Sequence, residues 1–376
     1  MVKVLILVEG LSVTGVEVFT RNLCLGLAGD AEIEVNIAIA TLPPQRYEPE
    51  LSAAGIPIHR TAELGGLRSY PRHLRAVYKL LRAARKTGRP FDAVHCEMEY
   101  YNGLLLFVSW LAGVPLRIAH SHTAKTAGQS KRFGVRLYRR CMQGLMRIFG
   151  TAFLACSPAA GAAMFPFALA KQITFLPNGI DMNRFYPKVT VPASGKAVNL
   201  LFVGRLSFEK NPLFLIDVLR QLHTIGMPAH LSFVGIGELT EELRAKAATY
   251  GLADSISLLG LRDDIPDLMR AADLLLMPSL YEGFGIVLLE AQACSLPCIA
   301  STGVPPTADC GGVTFLPLEA SLWAAQIQTC AGNGFPSNMD RDKLAGFSLD
   351  AMVRTYRAFI RRQSLSGSSP TAQKHS

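Results

Sequence analysis

Apolar residues along this chain follow two alternating rhythms. Val4-Leu5-Ile6-Leu7-Val8 is an unbroken apolar run closed by Glu9, the pattern of a strand buried on both faces of a parallel sheet. A loop holding Gly10 and Gly15 follows, and then Val16, Phe19, Leu23 and Leu27 recur at helical spacing until Gly29 stops the pattern. Val35 to Ile39 is the next strand, with further strand-like runs at Ala93–His95 and Leu116–His120 and helical segments between. This βαβ alternation predicts a doubly wound sheet.

The second half restarts the same grammar. Asn199 to Val203 is a strand ending at Gly204, after which Asn211-Pro212 is expected to cap and open a helix running to about Thr224, with Pro in its tolerated first position. Leu231–Val234, Ile256–Leu259, Leu274–Met277 and Cys298–Ala300 supply more strands, and Leu349 to Arg362 forms one amphipathic helix. The stretch Tyr186–Lys196, with two prolines, Ser194 and Gly195, reads as the boundary. The expected division is therefore a Rossmann-like domain over 1–186, a second over 196–347, a helix over 348–363 packing back on the first domain, and an unstructured Ser-rich tail over 364–376. The fold class is α/β, with two doubly wound domains facing one another across a cleft at the carboxyl ends of both sheets, where such folds bind ligands.

Composition narrows the picture. The 376 residues are 49% apolar, enough to give two domains a core each. Charge is unevenly shared. Residues 1–186 hold 22 Lys and Arg against 12 Asp and Glu, whereas residues 187–376 hold 16 against 17. Within the first half no acid lies between Glu63 and Asp92, or between Glu99 and Asp181. A one-signed surface attracts anionic partners. Lys131, Arg132, Arg136, Arg139, Arg140 and Arg147 interleave with Phe133, Val135, Leu137, Met142, Leu145, Met146 and Phe149, and eight more cations lie between Arg68 and Arg89. Such helices either bury their apolar residues in the core and solvate their cations, or lie in the headgroup layer of an anionic membrane. Nucleic acid fits the charge but finds no reading motif and too few aromatics for stacking.

None of the eight cysteines forms a C-x-x-C pair, and small buried thiols are the simplest reading. The strand-like opening is too short and too soon acidic for a signal peptide. The longest apolar stretch, Gly103 to Leu116, is broken by Pro115 and is shorter than the ~20 residues a spanning helix needs. A cytoplasmic protein, peripheral on a membrane through its basic half, is expected.

The densest chemical signal is Pro278-Ser279-Leu280-Tyr281-Glu282-Gly283-Phe284-Gly285-Ile286-Val287-Leu288-Leu289-Glu290-Ala291. A strand ends, a glycine-bearing turn carries one carboxylate, and a helix starting near Phe284 carries a second. Glycines let backbone amides approach a ligand, and a helix N-terminus favours phosphate. A carboxylate inside such a helix is better suited to accept hydrogen bonds from ribose hydroxyls. Phe202 to Asn211 presents Arg205 and Lys210 just past a strand end, where two cations can neutralise a pyrophosphate. Arg117-Ile118-Ala119-His120-Ser121-His122-Thr123 ends a strand with two imidazoles on the same face.

Glu282 and Glu290, separated by seven residues, resemble the E-x7-E motif of the family-4 retaining glycosyltransferases of GT-B fold, in particular those of exopolysaccharide and capsule synthesis. The resemblance runs along nearly the whole chain. Gly204-Arg205 to Lys210, Val234-Gly235-Ile236-Gly237 and Pro177-Asn178-Gly179-Ile180-Asp181 are similar to the family's segments at those places, and Leu259 to Ile265 resembles the loop that reads the base near Leu261 and Arg262. Gly15-Val16-Glu17 sits where the family often has G-G-x-E, with Thr14 replacing the first glycine. The resemblance implies that Glu282 lies near the donor sugar, Glu290 holds the ribose, and Arg205 and Lys210 stabilise the leaving diphosphate. It places Gly15, Asn178, Gly204, Gly235 and the run Gly283, Phe284, Gly285, Ile286 and Val287 against the donor. His122, with His120 in reserve, faces the donor sugar.

What the resemblance implies, then, is transfer of a sugar from a nucleoside diphosphate, UDP favoured, to a glycan or lipid-linked acceptor in cell-surface polysaccharide synthesis. Configuration is retained by same-face attack, the leaving phosphate taking the acceptor's proton. No metal or other cofactor is expected: no His/Cys set has ligand spacing, and the D-x-D of Asp340-Arg341-Asp342 reads as a solvated loop. Two rival readings stand beside it. One is a GT-B phosphorylase or epimerase; the other is a silent scaffold subunit that binds a nucleotide sugar.

Overall fold

The computed structural model of the protein describes residues 1–12, 14–43, 45–123, 132–168, 172–187, 197–333 and 339–367. Lys131, most of the expected linker and the end of the Ser-rich tail lie outside the described residues. The chain forms two compact units, Met1–Gly179 with Leu349–Ser376, and Ile180–Ser348.

The first unit is built on a parallel sheet of β1 (Val2–Val8), β2 (Ile33–Ile39), β3 (Ile58–Arg60), β4 (Ala93–Cys96), β5 (Leu116–Ser121), β6 (Ala152–Ala155) and β7 (Ile173–Phe175). Their spatial order is β3-β2-β1-β4-β5-β6-β7. The order reverses beside β1, which pairs with β2 on one side and β4 on the other. Strand β1 is apolar throughout its centre because both faces are covered: Val4, Leu5 and Ile6 are wholly buried. The helix Gly15–Gly26 lays Phe19 and Leu23 on one face of this sheet.

The helix Leu349–Gly367 completes that same core with Met352, Val353, Tyr356, Phe359 and Ile360. It extends to Gly367, beyond the Arg362 limit of its amphipathic pattern. Arg357 Nε bonds Asp30 Oδ2 at 3.0 Å beside it. At the crossing with Gly15–Gly26, a Cβ on Gly26 would come within 2.5 Å of Val353 Cγ2, so the absence of a side chain sets the approach of the two helices.

The second unit repeats the arrangement with β8 (Val198–Val203), β9 (Ala229–Val234), β10 (Ile256–Gly260), β11 (Leu274–Met277), β12 (Cys298–Ser301) and β13 (Val313–Leu316). All pairs are parallel, in the order β10-β9-β8-β11-β12-β13, reversing beside β8. Phe202, Phe233, Leu219 and Trp323 fill its core. Both sheets carry the α/β doubly wound topology that the hydrophobic pattern predicts.

Several local details differ from the sequence reading. The helix expected to open at Asn211-Pro212 begins at Phe214. Asn211 adopts a left-handed conformation with φ 53°, which Asn tolerates better than most residues, and Leu215 donates to the Pro212 carbonyl at 3.1 Å in a tight turn. The helix expected near Phe284 begins at Ile286, because Gly285 takes φ +90° as its N-cap. Asp340 is not simply a solvated loop acid: its carboxylate accepts from the Lys343 amide at 2.9 Å and caps the helix Arg341–Ala345. Pro115 separates the helix Asn102–Leu111 from β5, so the longest apolar stretch is two elements.

Gly26→Leu should force the C-terminal helix away from Gly15–Gly26 and cost about 1–3 kcal/mol by overpacking. The expected readout is a lower urea midpoint, and an unchanged midpoint would show that the crossing is loose.

Candidate active site

In the second unit the carboxyl ends of the strands are stitched together by backbone bonds at glycines. Gly204 donates to the Val234 carbonyl at 2.9 Å, Leu206 to Ile236 at 3.1 Å and Gly235 to Gly260 at 2.8 Å. Gly235 has φ +136°, and a side chain on it would collide with the Gly204 carbonyl. Gly237 has an ordinary φ, but a Cβ there would strike the Leu206 carbonyl. Loops this close need glycine for want of space as much as for backbone freedom.

The strand-end loop after β8 is joined to the Pro278–Gly285 turn. Leu280 N–H donates to the Glu209 carbonyl at 2.8 Å. The Lys210 ammonium pairs with Glu282 Oε1, and Ser279 Oγ donates to the same oxygen at 2.8 Å. Lys210 and Glu282, far apart in sequence, are thus one constellation. Among the described residues Arg205 is held only by Glu238, at 3.4 Å, with both side chains more than half exposed. Such a pair is weak, so Arg205 is readily available to another anion.

Gly285 leads into the helix Ile286–Ala293, whose first amides, at Ile286 and Val287, have no partner within the helix by geometry. Phe284 is buried and its ring packs 5.8 Å from that of Phe347, fixing the turn. Glu290, one turn inside, is partly buried; burial raises its pKa to about 7 against the lowering effect of Arg184. Arg184 also bonds the Asp263 carbonyl. It therefore links Glu290 to the loop of Leu261 and Arg262, where Leu261 is 44% exposed and Arg262 is paired with Asp264 at 2.6 Å. Sequence reasoning missed Arg184, a lone cation just past the Asn-Gly turn. A shallow depression lined by Ala197, His223 and Met227 lies at the opposite, amino ends of these strands.

The first unit carries its own polar cluster. Glu97 follows β4, and its carboxylate is wholly buried among three imidazoles. Oε1 meets His120 Nδ1 at 3.0 Å and lies 2.8 Å from His95 Nε2, Oε2 meets His122 Nε2, and His95 Nε2 and His120 Nδ1 are themselves 3.2 Å apart. His95 Nδ1 meets the Tyr356 hydroxyl at 3.1 Å. The rings of His120 and His122 lie 4.0 Å apart, on the same side of the strand as their two-residue spacing requires. Phe19 packs against both at 4.9 Å. His95, Glu97 and His120 offer donor atoms of metal-binding type within 4.8 Å of one another. The distances are those of N–H groups donating to one carboxylate, so the set reads as a hydrogen-bonded network. Sequence reasoning missed Glu97; its signal was that His95 and Glu97 repeat, on the neighbouring strand, the two-residue spacing of His120 and His122.

Two other anticipated residues belong to this unit. Gly15 opens its helix, with nothing near the position of a Cβ, and Thr14 N–H donates to Glu17 Oε2 at 2.9 Å. Glu17 therefore serves the helix start. Asn178 is 5% exposed, and its Oδ1 has no partner among the described residues.

The basic helix runs over Phe133–Phe149. Met142 and Met146 face the core, but Phe133, Leu137 and Ile148 are 71%, 51% and 68% exposed, as are Trp110 and Leu111 at 49% each. The apolar residues of this helix are thus not all spent on the core. No helix among the described residues is long and apolar enough to cross a membrane.

The family descriptions that match are a glycosyl transferase 4-like domain over residues 14–179 and glycosyl transferases group 1 over residues 188–310. EpsF of Bacillus subtilis (strain 168), named as a glycosyltransferase, is 32% identical over 367 residues, covering 93% of each chain. The UDP-Gal:alpha-D-GlcNAc-diphosphoundecaprenol alpha-1,3-galactosyltransferase of Escherichia coli is 29% identical over 240 residues, 60% of each chain. Among solved structures, Anabaena HepE in complex with UDP-glucose superposes with a TM-score of 0.79 at 21% identity, covering 96% of this chain and 100% of that one.

Proposed function

The chain belongs to the GT-B glycosyltransferases of family 4, and on that premise we propose that it transfers a sugar, with retention, from a UDP-sugar to a glycan or lipid-linked acceptor in cell-surface polysaccharide synthesis. The observation that carries the proposal is the union of Lys210, Glu282 and Ser279 at glycine-joined strand ends beside a helix N-terminus. That is a place for a diphosphate with a sugar attached. The UDP-glucose bound to HepE and the UDP-Gal in the name of the E. coli relative favour uridine. The diphosphoundecaprenol in that name favours a lipid-linked acceptor.

The proposed roles follow the charges. Lys210 and Arg205 take the negative charge that builds on the diphosphate as the glycosidic bond breaks, helped by the amides through Gly283 to Val287. Arg205 gives up only a weak exposed pair to do so. Glu282, already fixed by Ser279 and Lys210, orients the donor sugar. Glu290 accepts from the ribose hydroxyls, the loop at Leu261 and Arg262 reads the base, and His122 lies beside the reacting carbon. Attack by the acceptor hydroxyl on the face that the phosphate leaves lets a phosphate oxygen take the hydroxyl proton, and no side chain need act as base. The Arg- and Lys-lined site supplies the charge a metal would otherwise bring. The exposed Phe133, Leu137 and Ile148 among arginines support docking on an anionic membrane, where a lipid-linked acceptor resides.

Screening the full chain against nucleotide sugars should find one UDP-sugar that stabilises it, by about 2.7 kcal/mol at 100 times its dissociation constant. Arg205→Ala should then lower kcat on the order of 10²–10³-fold; a variant as active as the parent would remove the diphosphate role. Since Glu290 loses its proton only near pH 7, and a carboxylate is the better ribose acceptor, donor KM should fall about tenfold between pH 6 and pH 8. Glu290→Gln should flatten that dependence. The protein should co-sediment with phosphatidylglycerol vesicles and not with phosphatidylcholine alone, and a Phe133→Ser/Leu137→Ser/Ile148→Ser variant should lose at least about tenfold in that affinity.

A further inference from the structure

We infer that Glu97 is a positioning residue which, braced by His95, His120 and Tyr356, keeps His122 pinned as an imidazolium, so that the group at the end of β5 works as a fixed cation and not as a base. A carboxylate wholly removed from water is tolerated only with a counter-charge. The titratable side chains set against it are His95 from β4, His120 and His122 from β5 and its end, Cys24 from the helix Gly15–Gly26, Cys96, Cys156 beyond β6, and Tyr356 from the C-terminal helix. Among the described residues none of these is a lysine or arginine, so the three imidazoles are the groups placed to hold the balancing proton.

The hydrogen-bond geometry selects which one. His120 is 1% exposed and its Nε2 has no partner among the described residues; a proton there would find no acceptor among them. His95 turns Nδ1 to the Tyr356 hydroxyl at 3.1 Å, where a neutral ring nitrogen can accept the phenolic proton. A second proton on His95 would take away the acceptor of the buried Tyr356 hydroxyl, whereas His122 can carry both N–H groups without orphaning a neighbour: Glu97 Oε2 lies at Nε2, and the Cys156 side chain is its second hydrogen-bond partner. At 8% side-chain exposure it is also the least desolvated of the three.

The electrostatics agree with the geometry. Burial pulls the His120 pKa down to about 3 despite Glu97. Burial also works to lower His122, but the charge of Glu97 and the hydrogen bonds to Cys156 and Glu97 carry it up to about 10. Glu97 itself is held well below the usual carboxylate range: the neighbouring imidazoles overcome its burial. Glu97 stays ionised on acidification until well below pH 4.5, and His122 keeps its proton until about pH 10. Across the neutral range the pair does not titrate. Its catalytic consequence rests on the transferase reading above: the imidazolium offers positive charge and a locked orientation, while the acceptor's proton leaves by way of phosphate. The protonation state itself does not depend on that reading.

The test is ring-nitrogen NMR of His122 in the full chain, the resonance being assigned by its loss in His122→Gln. In the parent protein the His122 signal should stay that of an imidazolium from pH 5.5 to pH 9. In Glu97→Gln it should titrate with a midpoint at or below about 7, since burial is then opposed only by the Cys156 contact. At saturating donor, Glu97→Gln should lose at least tenfold in kcat at pH 8 and recover part of it toward pH 6, with little change in KM. Tyr356→Phe should give a smaller loss of the same pH shape. A parent His122 that titrates between pH 5.5 and pH 9, or a Glu97→Gln loss equal at every pH, would overturn the inference. Should no UDP-sugar be turned over at all, the transferase reading fails while the NMR result still decides the state of His122.

Discussion

Neighbouring parallel strands cannot be joined by a tight turn, and that constraint organises everything described above. Each strand must be followed by a crossover, so every loop leaving a carboxyl end gathers along one edge of its sheet. Where the strand order reverses, beside β1 and beside β8, adjacent loops diverge and leave room for side chains. Glu97, His120 and His122 collect along that edge of the first sheet, as Lys210, Glu282 and Gly235 do along that of the second. The residues differ because the edges are finished differently.

The two edges manage charge in opposite ways. In the second unit Arg205 and Glu238 meet in water, and Lys210 shares Glu282 with a serine. Solvated pairs exchange partners at little cost, which suits a site that must admit and release a diphosphate. In the first unit Glu97 is sealed beneath aromatic and aliphatic side chains. Releasing any one of its imidazoles would leave charge in a low dielectric. That edge is made to hold one arrangement.

Much of this was legible in the sequence. Continuous apolar runs such as Val4–Val8 and Leu274–Met277 announced buried parallel strands, and the recurrence of the pattern after Asn199 announced a second α/β sheet. The run from Pro278 to Ala291 disclosed a turn and helix bearing two carboxylates because glycines and acids there break an otherwise apolar pattern. What stayed hidden depends on pairing across distance. Glu97 looks like any acid after a short strand until the β4–β5 register sets it beside His120. Tyr356 lies 261 residues from its partner His95, on a helix whose pattern shows only amphipathicity. Arg184 was hidden by its setting in a turn, where a cation is ordinarily solvated. The helix starts at Phe214 and Ile286 were displaced by left-handed residues, a property of backbone that composition only hints at.

The return of Leu349–Gly367 to the first unit makes the second unit an insertion within it. On a ribosome, residues 180–348 are complete and free to fold while the first sheet still lacks Met352, Tyr356, Phe359 and Ile360 along one face. Emergence of Leu349–Gly367 covers that face and delivers the tyrosine hydroxyl that braces His95. A segment made after residues 180–348 therefore finishes a network begun on strands made before them, and the nascent chain presents an open apolar surface until that segment emerges.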